Sequence, residues 1–412
     1  MPHALTGRLA LGVLLHGSGG HWAGWRHPQG AATGQLDYAF HEFLAMELER
    51  GRIDAVFRPD LLAPWGEGPG LNKAARADHF EPMTLLAGLA GATEHIGLVA
   101  TGSTTYWPAH RLAGRFASLD AISGGRAGWN IVTSVLPQEA ANFGRTPVPH
   151  DMRYKLAERS VDEVRALWDA AHLGRAQGIP APPQGHPVLF QAGASPAGID
   201  FAARYADVVF TDQRDLPGAR RFYAEVKERV RAAGRRPEQV QIWPAFWPLV
   251  AATEAEARGH LAALRGLVHE DVARQWLQEN LGTDLSGHDL DAPLPEIPPT
   301  DRSQSRRELL IRMAQEHGFT TRQLAEHFLS GQIVAGTPSQ IADRMQEWYE
   351  ERGADGFMIS FPFLPGPLVD FVDHVIPELW RRGLFPNAYD GRDLRQNLGL
   401  PGHALATGGT HA

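Results

Sequence analysis

The amino-acid sequence predicts a parallel (β/α)8 barrel, or TIM barrel, because short apolar runs alternate along it with longer amphipathic runs. Eight of the apolar runs have the length and composition of buried parallel strands: residues 9–15, 53–57, 96–100, 127–132, 188–191, 207–211, 240–246 and 356–361. A helical pattern follows nearly every one of them. That arrangement is typical of a closed barrel and not of an open sheet.

The connecting helices are recognised by the residues at their ends. Residues 36–50 form the first helix, which Gly51 ends. Residues 81–94 form the second, with Pro82 in its first turn and an apolar stripe on one face. Further helices are predicted at 110–119, 154–170, 196–205, 216–233, 338–352 and 368–382.

Composition restricts the class of protein. Of 412 residues, 43% are hydrophobic and 21% are charged, which excludes a wholly disordered or fibrous chain. The absence of cysteine excludes a disulfide scaffold, a thiol nucleophile and a zinc–thiolate site. A net charge of −8 gives no basic surface for nucleic acid or an anionic membrane. The apolar runs are too short to cross a bilayer, so we expect a cytoplasmic protein.

Three segments are longer than a minimal barrel needs: residues 61–80, 133–153 and 253–331. All three follow strands, so we expect them at the C-terminal face, where barrels carry their active sites. The prediction is one barrel over residues 1–402, followed by a disordered tail at 403–412. The longest insertion is predicted to be a lid over the site, with a dimerisation or stabilising subdomain as the alternative.

Polar residues end several of the predicted strands. They are Asp60 after the second strand, Thr101, Ser103 and Thr104 at the third, Asn130 in the fourth, and Gln191 with residues 193–195 at the fifth. In a barrel these side chains converge on one pocket with few charged groups. Such a pocket suits a planar polar ligand held by hydrogen bonds better than a pair of catalytic carboxylates.

The turn at residues 193–198 has two interpretations. Small residues before a helix N-terminus expose backbone N–H groups that can bind a phosphate. The same residues also fit an ordinary βα turn, with Ser195 as the N-cap and Pro196 as the first helical residue. The turn by itself does not decide between them.

Two other patterns are misleading. The stretch VLLHGSGG resembles the oxyanion-hole turn of α/β-hydrolases, but no G-x-S-x-G accompanies it. The stretch HEFLA resembles the start of a zinc-protease helix, but Ala45 stands where the second histidine belongs. No histidine pair has persuasive metal-binding spacing, so no metal site is predicted; His16 and His21 flank a glycine turn after the first strand.

Several segments together resemble one family. They are WRHP at 25–28, the block from EPMTLLAG to GWNIVTS at 81–134, AANFG with HDMRY at 140–154, and PVLFQAGASPAGIDFAARYADVVFT at 187–211. They are similar to the flavin-dependent monooxygenases typified by nitrilotriacetate, dibenzothiophene-sulfone and long-chain alkane monooxygenases, within the bacterial-luciferase-like superfamily. The similarity continues through the C-terminal stretch that ends in QNLGL, and so covers nearly the whole chain.

The resemblance implies a luciferase-like barrel that binds FMN non-covalently. The flavin would arrive as FMNH2 by diffusion from a separate NAD(P)H:flavin reductase. Its reaction with O2 would give a flavin-(hydro)peroxide that oxygenates a small or medium organic substrate. The protein would supply orientation, a dry pocket and polarisation. We expect a homodimer or homotetramer.

The resemblance also implies roles for individual residues. The cofactor-binding set is Asp60, Thr101, Ser103 and Asn130 near the ring and ribityl chain, and His150, Tyr154, Ala194 and Ser195 at the phosphate. His16 and His21 are candidates for the substrate side, as proton donors or stabilisers of the peroxide. Asn130 completes the predicted catalytic set.

The sequence departs from the family pattern in two places. Arg58 and Pro59 precede Asp60 where relatives read ADG, which predicts a cation beside the flavin edge. A cluster of arginines that includes Arg58 would indicate an anionic substrate. The segment 171–186 is shorter than in relatives, which leaves a non-catalytic flavin-binding or storage protein as an alternative function. A deazaflavin-dependent oxidoreductase is a second alternative.

Overall fold

The computed structural model describes residues 8–60, 62–63, 79–298 and 304–402. Within them run nine parallel strands: β1 (Ala10–Leu14), β2 (Ala55–Arg58), β3 (Gly97–Ser103), β4 (Ala127–Val132), β5 (Val188–Gln191), β6 (Val208–Thr211), β7 (Gln241–Val250), β8 (Ile333–Gly336) and β9 (Gly356–Ile359). Most of the predicted insertion at 61–80 and all of the predicted tail at 403–412 lie outside the described residues.

Eight of these strands close into a ring, which confirms the predicted (β/α)8 barrel. Strands β1 to β6 pair in chain order, β6 pairs with β7, β7 pairs with β9, and β9 returns to β1. Strand β8 stands outside the ring and pairs with residues 247–250 in the second half of β7. Strand β8 is not predicted by the sequence pattern, because a strand of 4 residues carries little periodic signal.

The described helices are α1 (Tyr38–Arg50), α2 (Pro82–Ala92), α3 (Ala109–Ser123), α4 (Pro137–Asn142), α5 (His150–His172), α6 (Pro196–Tyr205), α7 (Leu216–Ala232), α8 (Glu254–Gly266), α9 (Glu270–Leu281), α10 (Gln304–His317), α11 (Thr321–Ser330), α12 (Pro338–Glu350), α13 (Gly366–Asp370), α14 (Ile376–Arg381) and α15 (Leu394–Asn397). A π-helical turn at Phe371–Val375 joins α13 to α14, so the helix predicted at 368–382 contains one wide turn. In the part of the chain that the structure describes, no helix has the length and apolarity to span a bilayer.

Alternation along the strands separates an inner from an outer face of the barrel. The interior is filled by apolar side chains that include Phe57, Val99 and Trp243. Side chains of the opposite parity, such as Val56, pack outward in the larger cluster beneath the helices. Nearer the C-terminal end, the inner positions change to polar side chains such as Asn130. This change marks the end of the barrel where a ligand can bind.

The C-terminal segment fills the opposite, N-terminal end of the barrel. Leu394 and Leu398 are buried in the same cluster as the interior side chains. The side-chain amide of Gln241, the first residue of β7, donates to the Leu398 carbonyl at 2.6 Å. Between the two leucines, Arg395 pairs with the carboxylate of Asp207 at 2.9 Å, just before β6. We call this segment, residues 394–398, the plug. The periodicity of the sequence does not predict it, because its contacts are to strands distant in the chain.

Aspartates just before three strands tie each of these strands to its neighbour. Asp54 accepts the backbone N–H of Leu11 at 2.8 Å, Asp207 that of Leu189 at 2.9 Å, and Asp355 that of Ile242 at 3.0 Å. A buried backbone donor left without a partner is costly, so these carboxylates hold the strand starts in register.

Asp120 gives the fold a specific pH dependence. It is buried and accepts hydrogen bonds from the Ala127 N–H and the Gln184 side chain. Burial raises its pKa from 3.8 to about 6. The folded state therefore binds this proton more tightly than the unfolded state, so the free energy of unfolding should fall as pH rises from about 4 to about 6, by roughly 3 kcal/mol. Urea unfolding across this range measures the slope. Asp120→Asn should flatten it, and an equally steep slope in the variant would contradict the prediction.

The insertion at 253–331 is organised around a hydrophobic cluster of its own. Helices α9, α10 and α11 bury Leu277, Leu310 and Leu324 in that cluster. Ala23, from the loop after β1, belongs to it as well. The insertion is thus attached to the C-terminal end of the barrel through the β1 loop. Its role as a lid stays a prediction.

Candidate active site

A short chain of hydrogen bonds crosses the ends of β2, β3 and β4. The amide nitrogen of Asn130 donates to Thr101 Oγ1 at 2.9 Å, and the Thr101 hydroxyl donates to the Arg58 carbonyl at 3.0 Å. The single hydroxyl proton of Thr101 is donated to the Arg58 carbonyl, so Thr101 Oγ1 can only accept from Asn130. The Asn130 atom that faces it must therefore be the amide nitrogen. Asn130 Oδ1 is buried and has no hydrogen-bond partner among the described residues. Such an acceptor is satisfied when a ligand brings a donor to it.

The turn after β5 leaves room for two polar side chains. A Cβ atom at Gly193 or at Gly198 would lie under 3.0 Å from the Tyr154 hydroxyl, and at Gly193 also under 3.0 Å from the Gln191 amide nitrogen. These glycines therefore make a recess that any larger residue would fill. Gln191 is 3% exposed, and its Oε1 has no partner among the described residues. The Tyr154 hydroxyl and the Gln191 side-chain amide thus lie together at the turn after β5.

The same turn begins helix α6. Ser195 is its N-cap, with Oγ accepting the Gly198 N–H at 3.2 Å, as the βα-turn interpretation predicted. The N–H groups and the positive dipole end of α6 also favour an anion there. Ala194 is exposed beside the cap. Together with Tyr154 and Gln191, these groups form what we call the phosphate cradle.

The other predicted cofactor residues surround this end of the barrel. Ser103 Oγ lies 2.8 Å from the hydroxyl of Ser134, a residue with the unusual φ of 44° that marks a constrained loop after β4. The Asp60 carboxylate lies 3.9 Å from His79 Nε2. His150 is the first residue of α5, and its side chain lies outside the described part of the structure.

The structure corrects the prediction for Arg58. Strand alternation puts its side chain on the outer face with Val56 and not on the inner face with Phe57. Its guanidinium donates to the Leu15 carbonyl at 2.5 Å, and the residue is 2% exposed. Burial lowers the pKa of Arg58 to about 10, with the charge of Asp60 acting in the opposite direction. The cation therefore lies between the barrel and its helices, and not on the inner face of the barrel, where the prediction of a cation beside the ligand requires it.

The two histidines after β1 have different environments. His16 is partly exposed, two residues beyond the inner position of Leu14. His21 is buried; its Nδ1 accepts the Ala23 N–H at 3.1 Å, and its Nε2 lies 2.9 Å from the Ser330 hydroxyl at the end of α11. Because Nδ1 accepts, the neutral ring carries its proton on Nε2 and links the β1 loop to the insertion. Of the pair, His16 is the one whose side chain has exposed surface.

Sequence reasoning missed two further features of the site. Gln191 was recognised as a polar strand end but was not assigned to the cofactor. Ser360, the inner residue just beyond β9, was not singled out, although its buried hydroxyl has no partner among the described residues. A lone serine in an apolar run carries no signal in the sequence, because only the ring of strands shows which way it faces.

These groups define a class of protein: a (β/α)8 barrel with a phosphate cradle at β5–α6 and an uncharged hydrogen-bonding wall at β3–β4. In the described ranges, no three His, Asp or Glu side chains are grouped as metal ligands would be. An organic cofactor with a phosphate fits this donor set. The Tyr154 hydroxyl and the Gln191 amide, which lie over the turn at Gly193, are donors of the kind that a phosphate accepts, and the unsatisfied oxygen of Asn130 suits a ring N–H or a ribityl hydroxyl.

Comparison with known proteins gives the family. Residues 18–356 match the model of the luciferase-like monooxygenase family. The chain therefore belongs to that family and is an enzyme of the flavin-dependent monooxygenase class.

The similarity to individual members spans nearly the whole chain. The chain is 51% identical to one of the subunits of pristinamycin IIA synthase from Streptomyces pristinaespiralis, over 95% of its own length and 96% of that protein. It is 40% identical to nitrilotriacetate monooxygenase component A of Aminobacter aminovorans, over 95% and 96% of the two chains. These matches agree with the resemblance that the sequence motifs predicted.

Solved structures show the same architecture. EDTA monooxygenase from Chelativorans sp. BNC1 superposes with a TM-score of 0.81 at 31% identity, covering 96% of this chain and 98% of that one. A riboflavin lyase solved with a modified FMN and riboflavin superposes with a TM-score of 0.80 at 28% identity, covering 96% of each chain. The barrel and its insertions are thus shared with flavin enzymes.

Proposed function

We propose that the protein is the oxygenase component of a two-component system that uses FMNH2 and O2 to oxygenate a small or medium organic substrate. The observation that carries the proposal is the phosphate cradle, where Gly193 and Gly198 leave room for the Tyr154 hydroxyl and the Gln191 amide at the start of α6. A separate NAD(P)H:flavin reductase supplies the reduced flavin by diffusion.

Each side chain has a definable task in that reaction. Tyr154, Ser195 and the N–H groups at the start of α6 hold the phosphate, with Ala194 at the same turn. His150, the first residue of α5, is assigned to the phosphate by the resemblance alone. Asn130 accepts a hydrogen bond from the ring or ribityl chain, supported by Thr101, while Asp60 and Ser103 lie along the same rim. A reduced flavin held by these residues would supply the electrons that activate O2.

On the substrate side, His16 is the residue we assign to proton transfer. It is partly exposed at the open end of the barrel, and histidine is the side chain that enzymes use most often for proton transfer. His21, predicted for the same task, positions the β1 loop through its hydrogen bond to Ser330.

The 51% identity to a protein named for the synthesis of pristinamycin IIA supports an organic substrate of medium size, such as an antibiotic precursor. We further propose that the enzyme works in the cytoplasm, where the pyridine nucleotide pool supports flavin reductases. A homodimer or homotetramer stays a prediction.

The experiment is a two-part measurement on the full chain. Anaerobic titration should show tighter binding of FMNH2 than of FMN. Addition of a flavin reductase, NADH and air should then give O2 consumption that depends on an organic substrate. Absence of FMNH2 binding would overturn the proposal. Binding without substrate-dependent O2 consumption would favour a flavin-storage protein, and preferential binding of a deazaflavin would favour the deazaflavin alternative.

A further inference from the structure

The wall of the barrel opposite the cofactor residues is built by β7, β9 and β1. In the ring of eight strands, β9 stands four strands away from β4 in either direction, so it faces Asn130 across the barrel. Continuing the pairing of Ala245 with Met358 places Trp247 beside Ser360, and continuing that of Val13 with Ile359 places Leu14 on its other side. These three side chains form one surface, which we call the β9 wall.

Trp247 and Leu14 are partly exposed, although they project from the inner faces of their strands. Ala245 on β7 and Phe210 on β6 are partly exposed as well. Inner-face residues of a barrel reach open space only at its end, so the exposed area of these side chains borders the ligand-binding space. An indole, a phenyl ring and two aliphatic side chains make that border apolar.

The β9 wall has two groups that can form hydrogen bonds, the indole N–H of Trp247 and the hydroxyl of Ser360. The Ser360 hydroxyl is the one for which the structure shows an unmet need. It is 2% exposed and has no partner among the described residues, although nearly all buried hydroxyls in proteins are paired. A Cβ at Gly20 would lie under 3.0 Å from this hydroxyl and from the edge of the Trp247 ring. The absence of a side chain at Gly20 therefore lets the loop after β1 lie beside Ser360 and the edge of the Trp247 ring without displacing either group.

The β9 wall lacks the positive charge that a binding site for an anion normally has. Its members and their inner-face neighbours, Ala245 and Phe210, are uncharged. Arg58, the cation that the sequence placed near the pocket, is buried on the outer face and bonded to the Leu15 carbonyl. A carboxylate bound against Leu14, Trp247 and Ser360 would lose its hydration and gain no counter-charge from these side chains, which is strongly unfavourable.

We propose that the β9 wall binds an uncharged, largely apolar substrate through contact with Trp247 and Leu14, and orients it by a hydrogen bond from Ser360 to an oxygen acceptor. The proposal rests on the proposed function, since it assigns the substrate class of the same site. It separates this chain from relatives whose names denote polycarboxylate substrates.

The test compares two probes of opposite character by calorimetry under anaerobic conditions, with the protein saturated in FMNH2. Dibenzothiophene sulfone is neutral and planar and carries acceptor oxygens, whereas nitrilotriacetate is a small polyanion. We expect the sulfone to bind at least about tenfold more tightly, with an affinity that does not depend on salt. Tighter binding of nitrilotriacetate, or no binding of the sulfone, would overturn the proposal.

Variants then locate the contact. Ser360→Ala should weaken sulfone binding about fivefold to tenfold, because one hydrogen bond in a buried site is lost. Ser118→Ala, at an exposed position on α3, is the matched control and should leave it unchanged. Trp247→Leu should weaken binding independently of Ser360. FMNH2 affinity is measured in the same samples. If the wild-type protein does not bind FMNH2, the proposed function is refuted. If the wild type binds FMNH2 but Ser360→Ala leaves sulfone binding unchanged, only the proposal for the β9 wall is refuted.

Discussion

Gly193→Ala should weaken FMNH2 binding by roughly 2–4 kcal/mol, which is about thirtyfold to a thousandfold. The new methyl group would lie under 3.0 Å from both the Tyr154 hydroxyl and the Gln191 amide nitrogen, so both must move out of the phosphate cradle. Hydrogen bonds to a charged phosphate are stronger than neutral ones, which is why losing two of them has a large effect. Anaerobic titration with FMNH2 measures the change.

Two variants define what the result means. Gly114→Ala, on helix α3, is the control, because a Cβ there meets nothing within 4 Å. Tyr154→Phe, which removes one hydroxyl and leaves the turn intact, should cost only about 1–2 kcal/mol of the same binding free energy. If Gly193→Ala bound FMNH2 like the wild type, the phosphate would have to lie elsewhere.

Arg395→Met should lower the free energy of unfolding by about 3–5 kcal/mol, because it leaves the buried carboxylate of Asp207 without its main counter-charge. Burial alone would raise the pKa of Asp207, but Arg395 and the Leu189 N–H lower it below its usual value. The side chains of the pair are 6% and 10% exposed, so water cannot replace the lost partner. Denaturant unfolding of the full chain measures the loss.

The control is an ion pair on the surface. Arg258 and Glu254 lie 3.1 Å apart on α8, with both side chains at least half exposed, so Arg258→Met should cost less than about 1 kcal/mol. FMNH2 affinity should survive in folded Arg395→Met, because the plug lies at the end of the barrel opposite the cradle. Equal stability losses in the two variants would show that the plug does not hold the barrel closed.

Much of the fold was predictable from local pattern. Each barrel strand is a short apolar run, and each is separated from the next by a helix whose ends carry recognisable residues, such as Ser195 before Pro196. What escaped prediction depends on distant contacts. Strand β8 forms because the second half of β7 extends past the ring and offers it a pairing partner. The plug takes its position because the strands leave an open end for it to fill.

The candidate site likewise contains residues that the sequence could predict and residues that it could not. The strand-end residues Thr101 and Asn130 are joined by a hydrogen bond, and the Tyr154 hydroxyl lies against the turn at Gly193. Their assignment to a cofactor stays a prediction. Arg58 and Ser360 were not predictable, because neighbouring residues of a strand point to opposite faces and the sequence does not show which face is inner.

The sequence by itself determined the fold class and the family, because these depend on residue order within single βα units. Only the tertiary structure decided the electrostatics of the ligand space. In the closed ring of strands, the Arg58 side chain projects from the outer face and the Ser360 side chain from the inner face. A side chain's direction follows from barrel register, and that register is fixed by pairing between strands far apart in the chain.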